Sequence, residues 1–443
     1  MFFMQFNPVS IIVAASGIYL LFKLRFFFLI HPIRTLRQMS RGLKRRETRR
    51  ALFLALSGTL GVGNILGVAV GIIVGGAGSV LWMLVSATFA AALKYGEVTL
   101  STDGIMRNND GAHGGIQYAL SRCFGRFGRL FSTVYSVSVI LLSFTMGASM
   151  QSAALVGSVG EIFDTPPAVI AILLAFAVLF SILFGTRIIE KITAVVIPLT
   201  TIVYILLALT SIFVCRDRLG DALVGIFEGA FRSQSAFGGV LGFLFSRALS
   251  EGFSRGMLSN EAGAGTSSIA HARGSSMNPA VCGLMGILEV LFDTVILCTL
   301  TALVILTAIP DPSIYTDGIS LVAAAFSSSL GTASLYPLAF SVSAFAFSTV
   351  ICWYFYSTEA FLALFGGRPL LLLPIYLAFV VLGAFVPTLP VIFVSDTLLL
   401  IMTVLTCSVL IKKSDRILTL SENFGLVGGP LGNIRKSNKA NKR

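Results

Sequence analysis

The chain alternates between long apolar stretches and short polar or charged connections. Eleven apolar stretches are candidate membrane spans, with approximate limits at 9–30, 51–75, 79–101, 130–158, 168–185, 191–214, 221–256, 279–309, 335–358, 369–387 and 393–411. A membrane-spanning helix requires about 20 mostly apolar residues, and each stretch is close to that length or longer. The pattern therefore predicts an all-α integral membrane protein with about 11 transmembrane helices.

Composition supports the same fold class and excludes others. Of the 443 residues, 56% are apolar and only 12% are charged, whereas soluble domains carry about 25% charged residues. This balance excludes a soluble enzyme, a secreted disulfide scaffold and a nucleic-acid-binding domain as descriptions of the whole chain. The six cysteines form no C-x-x-C pair and the three histidines are far apart in the sequence, so no metal cluster is predicted.

Charged residues predict the orientation in the membrane. Half of the 32 Lys and Arg residues lie in two runs, the loop 31–50 and the tail 412–443. Basic segments beside membrane spans stay in the cytoplasm, whereas the acidic loops 159–167 and 310–318 are expected outside. We therefore expect a multi-pass protein of the plasma membrane, of the bacterial inner-membrane type, with an external N-terminus and a cytoplasmic C-terminus. Membrane lipids are expected partners, nucleic acid is not, and a monomer is expected.

The second span contains a break in the helix-forming sequence. Gly58, Gly61 and Gly63 occur within six residues and are accompanied by Ser57 and Asn64. Glycine disfavours a continuous helix, and unwound backbone in a membrane is tolerated only where it is buried in protein or lines a cavity. An unwound turn can present N–H groups to a carboxylate and carbonyl groups to a cation. The alternative is close helix packing, which we predict for the glycines that recur every fourth residue over 63–75.

A second break is predicted in the seventh span, at residues 235–242. The two breaks are five spans apart, so the broken helices cross in opposite directions. That arrangement is typical of inverted five-helix repeats with a substrate site between the paired broken helices. The predicted organisation is an N-terminal helix with a basic loop (1–50), a first five-helix repeat (51–220), a second five-helix repeat (221–411) and a basic cytoplasmic tail (412–443).

Several charged residues lie within the predicted spans. Arg247, Glu251 and Arg255 are spaced to share one helix face, toward the cytoplasmic end of the seventh span. Glu289 and Asp293 form a similar pair in the eighth span. Because charges in a membrane are costly and usually paired, we predict a structural network, with a cytoplasmic gate or a proton relay at Asp293 as alternatives. The gate candidates are Arg247, Glu251, Arg255, Glu261 and Asp293.

Motifs for ATP binding or intramembrane proteolysis do not occur in the sequence. There is no G-x-x-x-x-G-K-[ST] and no H-E-x-x-H, and no nucleophile–base pair stands out. An enzyme is therefore not predicted. Two broken helices favour a secondary transporter, with a passive channel for small solutes and a structural subunit as the alternatives.

Four motifs resemble those of the alanine/glycine:cation symporter family. The first is residues 61–69 (GVGNILGVA), and the most specific is residues 255–265 (RGMLSNEAGAG), followed by residues 269–272 (IAHA). The third combines residues 293–294 with 298–302, and the fourth combines residues 347–349 with 353–354. The resemblance extends over about residues 50–410, nearly the whole chain.

The resemblance implies a leucine-transporter-type fold, with one N-terminal helix followed by two inverted five-helix repeats. It also implies uptake of alanine, glycine and similar small neutral amino acids by alternating access, coupled to Na⁺, with H⁺ coupling as the alternative. The implied cation ligands are the carbonyls of Ser57, Leu60 and Phe345 and the hydroxyls of Ser348 and Thr349. Oxygen ligands suit a hard cation such as Na⁺; the alternative role of the two hydroxyls is a hydrogen bond to the preceding helical turn.

The implied amino-acid site lies between the two breaks. Its implied contacts are Gly61, Gly63 and Asn64 with the carboxylate, carbonyls at Ser235, Ala236, Phe237 and Gly238 with the ammonium group, and Gln151 and Trp353 as pocket walls. A large Trp side chain beside the site would favour amino acids with small side chains by exclusion. One methylene changes binding by only about 1–3 kcal/mol, so discrimination need not be absolute.

Overall fold

The computed structural model describes residues 8–108, 111–160, 163, 165–231, 247–273, 278–386 and 388–427. Helices dominate this part of the chain, in agreement with the predicted fold class. One short antiparallel hairpin differs from the all-α prediction. It pairs β1 (Met106–Asn108) with β2 (Gly111–His113) and follows the third predicted span.

The helices before residue 232 include the first six predicted spans. They are α1 (Pro8–Lys23), α2 (Phe27–Ile30), α3 (Pro32–Leu43), α4 (Arg46–Thr59), α5 (Val68–Gly75), α6 (Ser79–Asp103), α7 (Ile116–Cys123), α8 (Gly128–Leu142), α9 (Met150–Gly160), α10 (Pro167–Leu183), α11 (Thr186–Val214) and α12 (Leu219–Phe231). Single π-helical turns lead into α5 (Gly63–Gly67) and join α8 to α9 (Ser143–Ser149). Short 3₁₀ turns precede α8 (Gly125–Phe127) and α12 (Arg216–Arg218).

The second part of the described chain begins at residue 247. Its helices are α13 (Arg247–Asn260), α14 (Ser267–Arg273), α15 (Pro279–Val290), α16 (Thr299–Ala308), α17 (Gly318–Leu330), α18 (Leu335–Phe365), α19 (Leu373–Leu382), α20 (Thr388–Lys412) and α21 (Ser414–Asn423). A π-helical turn joins α15 to α16 (Leu291–Cys298). Short 3₁₀ turns precede α17 (Pro312–Ile314), α18 (Thr332–Ser334) and α19 (Pro369–Leu372).

Long apolar segments give the protein a multi-pass membrane architecture. Within the described residues, six are long and apolar enough to cross a membrane: Ser79–Asp103, Gly125–Gly160, Thr186–Val214, Pro279–Ala308, Thr332–Phe365 and Pro390–Lys412. A bent pair, Arg46–Thr59 with Gly63–Gly75, adds a seventh. Shorter apolar helices are Pro8–Lys23, Pro167–Leu183, Gly318–Leu330 and Pro369–Leu382. All predicted spans except the seventh coincide with one of these segments.

The predicted break in the second span is confirmed. Helix α4 ends at Thr59, and the segment from Gly63 to Gly75 continues at an angle of 53° to it. The residues between, Leu60 to Val62, are buried. This fits the rule that irregular backbone at membrane depth is covered by protein or lines a cavity.

The predicted seventh span is described only at its two ends. The sequence predicts one span over 221–256 with a break at 235–242, and the described helices there are α12 (Leu219–Phe231) and α13 (Arg247–Asn260). Residues 235–242 lie outside the described residues. An interruption is present further along, between α13 and α14, where Glu261, Gly263 and Gly265 have φ values of 52°, 89° and 78°. Such left-handed values stop a helix, and two glycines make them accessible here.

Helix α6 lies at the centre of the helices that form the site. All of its residues over 90–102 are buried, so it is surrounded by protein. Helices α13 and α15 approach it closely because Gly256 and Gly286 place bare backbone against it. As a result Lys94 and Glu97 of α6 lie in the protein interior, beside the turn between α13 and α14.

Candidate functional site

The bend between α4 and α5 brings together three residues predicted for the site. A Cβ atom at Gly61 would lie 3.1 Å from Thr349 Oγ1 and 3.3 Å from Gln151 Oε1. Thr349 lies in α18 and Gln151 at the start of α9. Because Gly61 has no side chain, the backbone of the bend lies directly beside both polar groups. Gly63 faces open space, with nothing within 4 Å of its Cβ position.

Four side chains of the predicted site keep a buried polar atom without a hydrogen-bond partner among the described residues. These atoms are Asn64 Oδ1, Gln151 Oε1, Thr349 Oγ1 and Trp353 Nε1. Buried polar groups are almost always hydrogen-bonded, and leaving one unpaired costs about 1–3 kcal/mol. Three oxygens that accept and one N–H that donates form a set that suits a small polar ligand or a cation.

Backbone hydrogen bonding is disturbed where the first cation ligands are predicted. In a continuous helix the Gly61 N–H would donate to the Ser57 carbonyl. It donates instead to the Thr59 carbonyl, at 2.8 Å. The Ser57 carbonyl therefore loses its usual helical donor at the start of the bend, where Leu60 is also buried.

The two predicted hydroxyl ligands on α18 differ in their hydrogen bonds. Ser348 Oγ donates to the carbonyls of Ala344 at 2.8 Å and Phe345 at 2.9 Å, which is the alternative role considered for it. Its oxygen still has lone pairs to offer. Thr349 Oγ1 is buried, has no partner in the described part of the chain and faces Gly61.

Asn64 is held by residues of α13 and of the π-helical turn after α15. Its amide nitrogen donates to the Asp293 carboxylate and to Ser259 Oγ, at 3.1 Å from the latter. Asp293 also accepts hydrogen bonds from Ser259 Oγ at 2.9 Å and Thr294 Oγ1 at 2.7 Å. The Asn64 donor is therefore committed within the protein. Its Oδ1 remains, which accepts hydrogen bonds or coordinates a cation and does not fit the predicted contact with a carboxylate.

Trp353 forms one side of this region. It is fully buried, and its ring lies 5.5 Å from that of Tyr356 in an edge-on arrangement. A Cβ atom at Gly147, one turn before Gln151, would collide with the Trp353 side chain. The ring is therefore packed tightly against the segment that carries Gln151, and it limits the room beside that residue.

Other predicted site residues lie elsewhere. Ser235, Ala236, Phe237 and Gly238 lie outside the described residues. Arg247, Glu251 and Arg255 share one face of α13 as predicted, and Arg255 Nε donates to Glu251 Oε2 at 3.2 Å. They pack against Gly71 and Gly75 at the end of α5. The sequence places this trio at the same end as the basic loop, whereas its contacts with Gly71 and Gly75 place it beside the end of α5 that is farther from that loop.

A buried charged cluster surrounds the turn between α13 and α14, and of its members the sequence analysis named Glu289 but missed Lys94, Glu97 and His271. Lys94 Nζ donates to Glu289 Oε1 at 3.0 Å and to Ser267 Oγ at 2.8 Å. His271 Nε2 lies 3.1 Å from the other Glu289 oxygen, and Glu97 Oε1 accepts the Gly263 N–H at 2.6 Å. A signal was present, since Lys94 and Glu97 are two charges three residues apart inside an apolar span.

A second ion-pair cluster links α14 to α18. Arg273 Nη2 donates to Glu359 Oε1 at 2.8 Å, and His113 Nδ1 lies 2.8 Å from Glu359 Oε2. Glu359 is 2% exposed. The cluster holds the far end of the second interrupted helix against α18 and the hairpin. Its three members come from segments far apart in sequence, so no local pattern indicated it.

Comparisons with known proteins agree with the resemblance seen in the motifs. The model of the sodium:alanine symporter family matches residues 2–425. An uncharacterized transporter of Haemophilus influenzae is 31% identical over 85% of this chain and 84% of its own length. The sodium/alanine symporter AgcS of Methanococcus maripaludis is 29% identical over 88% of this chain and 87% of its own length.

The fold is shared with a solved structure as well. The crystal structure of MhsT in complex with L-phenylalanine matches 88% of this chain and 94% of its own, with a TM-score of 0.55 at 16% identity. This likeness shows the leucine-transporter-type fold that the motifs imply. The protein is a multi-pass transporter and not an enzyme. With the family match extending over nearly its whole length, the chain belongs to the sodium:alanine symporter family.

Proposed function

We propose that this transporter couples the inward movement of Na⁺ to the uptake of a small neutral amino acid, alanine or glycine, by alternating access. The observation that carries the proposal is that four predicted site residues, Asn64, Gln151, Thr349 and Trp353, each keep a buried polar atom without a partner among the described residues. The names of relatives add support, since AgcS is a sodium/alanine symporter. Secondary transport of amino acids is the activity of the family.

The cation is proposed to bind between the bend and α18. Its ligands are the carbonyls of Ser57, Leu60 and Phe345 and the hydroxyls of Ser348 and Thr349. Two contacts support this set: the Gly61 N–H no longer occupies the Ser57 carbonyl, and Thr349 Oγ1 is buried facing Gly61. Neutral oxygen ligands suit a hard monovalent cation, which needs no carboxylate to balance its charge.

The amino acid is proposed to bind beside the cation. Gly61 and Gly63 would present backbone to its carboxylate, Gln151 Oε1 and Asn64 Oδ1 would accept from its ammonium group, and Trp353 would limit its side chain. The support is that Gln151 and the cation ligand Thr349 both lie within 3.5 Å of the Gly61 Cβ position. Trp353 leaves little room because it is packed against Gly147. A ligand with a small side chain fits this enclosure best.

The chain is proposed to work as two inverted halves, 51–220 and 221–411, after the N-terminal helix. Among the described residues, an interrupted helix occurs in each half, α4–α5 in the first and α13–α14 in the second, and this supports the division. The basic loop and tail support a cytoplasmic C-terminus and an external N-terminus. Lipid contacts at the basic segments and a monomeric state belong to the same proposal.

The driving force is sufficient for concentrative uptake. At 100 mV, inward movement of one positive charge contributes about 2.3 kcal/mol, and a tenfold Na⁺ gradient contributes about 1.4 kcal/mol. Together these values sustain an amino-acid gradient of about a few hundredfold for each Na⁺. A passive channel would not accumulate the amino acid above its external concentration.

Uptake by purified protein in liposomes tests the proposal. Labelled glycine, L-alanine and D-alanine are offered with an imposed Na⁺ gradient, an imposed proton gradient, or neither. We expect accumulation above the external concentration with Na⁺ alone, and its loss when the gradient is collapsed. Accumulation driven only by the proton gradient would replace Na⁺ by H⁺ as the coupling ion. Equilibration without accumulation under all conditions would contradict symport and favour a channel.

A further inference from the structure

Four carboxyl groups lie close to the interruption between α13 and α14 in a region with few positive charges. Glu97, Glu289 and Asp293 are 0% exposed, and Glu261 is 4% exposed. Among the described residues, the basic groups of this cluster are Lys94 and His271. Full ionisation leaves at least two negative charges uncompensated, even if His271 is protonated. Uncompensated charge in the interior of a membrane protein is strongly unfavourable.

Three of the four carboxyl groups have partners that favour the charged form, although Glu97 Oε2 is buried without a partner among the described residues. Glu289 accepts from the Lys94 ammonium at 3.0 Å and meets His271 at 3.1 Å. Asp293 accepts hydrogen bonds from Asn64, Ser259 and Thr294. Glu97 accepts the Gly263 N–H at 2.6 Å, in a turn whose left-handed residues turn their amides toward an anion.

Glu261 is the carboxyl group with the weakest support for a charge. Within the described part of the chain, its side chain accepts one hydrogen bond, which the Thr266 hydroxyl donates to Oε2 at 2.7 Å. It is also the member of the four with some remaining exposure, 4%, so water can reach it when the turn moves. Its backbone has a φ of 52°, which is strained for a glutamate and ties the side chain to the conformation of the turn.

We propose that Glu261 is a proton-binding site, protonated while the turn between α13 and α14 is closed and able to release its proton when α14 moves away. This inference deepens the proposed transport function and rests on it. A neutral Glu261 lowers the uncompensated negative charge of the closed turn, beside Glu97 and Glu289, by one. Besides the groups already named, Tyr135 of α8 and Cys352 and Tyr356 of α18 are close enough to this carboxyl group to interact with it electrostatically.

The proposal predicts that transport depends on pH through one residue. If closure requires the protonated form, Na⁺-driven alanine uptake falls as the pH rises. Once most of Glu261 is ionised, the fall is up to about tenfold for each further pH unit. Glu261→Gln is permanently neutral, so its uptake is expected to stay constant over the range in which wild-type uptake falls. Glu47→Gln, an exposed carboxylate on α4, is the matched control and retains the wild-type pH profile.

Infrared difference spectroscopy gives a second readout that does not require transport. The wild-type protein in lipid is expected to show the C=O stretch of a buried protonated carboxyl group, which disappears in Glu261→Gln and persists in Glu97→Gln. A band that persists in Glu261→Gln, or its absence from the wild type, would overturn the proposal. An unchanged pH profile in Glu261→Gln would do the same. If no Na⁺-driven uptake is found but the band behaves as expected, the coupling assignment fails and the proton site stands.

Discussion

Gly61→Ala tests the contact on which the proposed site depends. The added methyl carbon would lie 3.1 Å from Thr349 Oγ1 and 3.3 and 3.5 Å from the oxygen and nitrogen of the Gln151 amide. At such distances the neighbouring groups must shift. Gly61 is not among the residues with a positive φ, so its backbone accepts alanine without strain. The substitution therefore places a small apolar group between a proposed cation ligand and a proposed amino-acid contact while leaving the bend itself intact.

The size of the effect follows from the contacts at risk. A hydrogen bond or similar polar contact to a charged group contributes about 1.5–3 kcal/mol. Displacing either Thr349 from the cation or Gln151 from the ammonium group removes one such contact. Since 1.4 kcal/mol corresponds to about a tenfold change in affinity, the expected loss is about 10- to 150-fold in the Na⁺ or alanine concentration needed for half-maximal uptake.

Gly67→Ala is the matched control for this experiment. Gly67 belongs to the same bent span, and nothing lies within 4 Å of its Cβ position. Neither Gly61 nor Gly67 has a positive φ, so the backbone accepts alanine at both positions, but only Gly61→Ala contacts the site. Uptake in proteoliposomes is measured over a range of Na⁺ and alanine concentrations, with the Tm of each variant as a check on folding. Equal uptake by the two variants would refute the assignment of the site to the α4–α5 bend.

Three further substitutions test separate parts of the proposal. Removing both α18 hydroxyls, with Ser348→Ala and Thr349→Ala together, is expected to raise the Na⁺ concentration needed for half-maximal uptake at least about tenfold. Thr349→Ser keeps a hydroxyl and is expected to keep the wild-type value. Undiminished uptake in the double variant would exclude this cation site. Trp353→Phe is expected to admit larger amino acids, with competition changed by about 1–3 kcal/mol per methylene; unchanged competition by valine would show that Trp353 does not limit size. Glu359→Gln removes the carboxylate that pairs with Arg273, so thermal unfolding is expected at a lower temperature, because breaking a buried pair costs about 3–5 kcal/mol. The control is Glu422→Gln, which changes a half-exposed carboxylate near Arg25. Equal Tm values for the two variants would show that the Glu359 cluster does not stabilise the packing of the α13–α14 helix against α18.

Much of the architecture could be predicted from local sequence. Helix length and apolar composition decide whether a segment crosses a membrane, and those properties are readable without knowing its neighbours. The first break could also be predicted, because three glycines with polar companions destabilise a helix wherever it packs. The motif residues Gly61, Gln151, Thr349 and Trp353 are close together as the resemblance implies.

The second interruption shows the limit of this reasoning. Residues 235–242, which lie outside the described residues, and residues 261–266 both contain closely spaced glycines with polar neighbours, and only the first are predicted as a break. The structure shows an interruption at the second place, where Glu97 from a distant helix accepts the Gly263 N–H. A turn inside a membrane protein is stable only when its free backbone groups find partners, and that partner is supplied by tertiary contact.

The sequence by itself determined the membrane environment, the positions of most helices, the first bend and the family. Only the tertiary structure decided which charges meet, because the cost of a buried charge depends on its partner and not on its own segment. The buried charge of Lys94 in α6 would be unfavourable without Glu289 of α15, whose Oε1 lies 3.0 Å from Lys94 Nζ. Asn64 is predicted to donate to a ligand, but its N–H group donates to Asp293, and its Oδ1 is the atom without a partner among the described residues. Such partnerships join residues about 200 positions apart, and no local pattern encodes them.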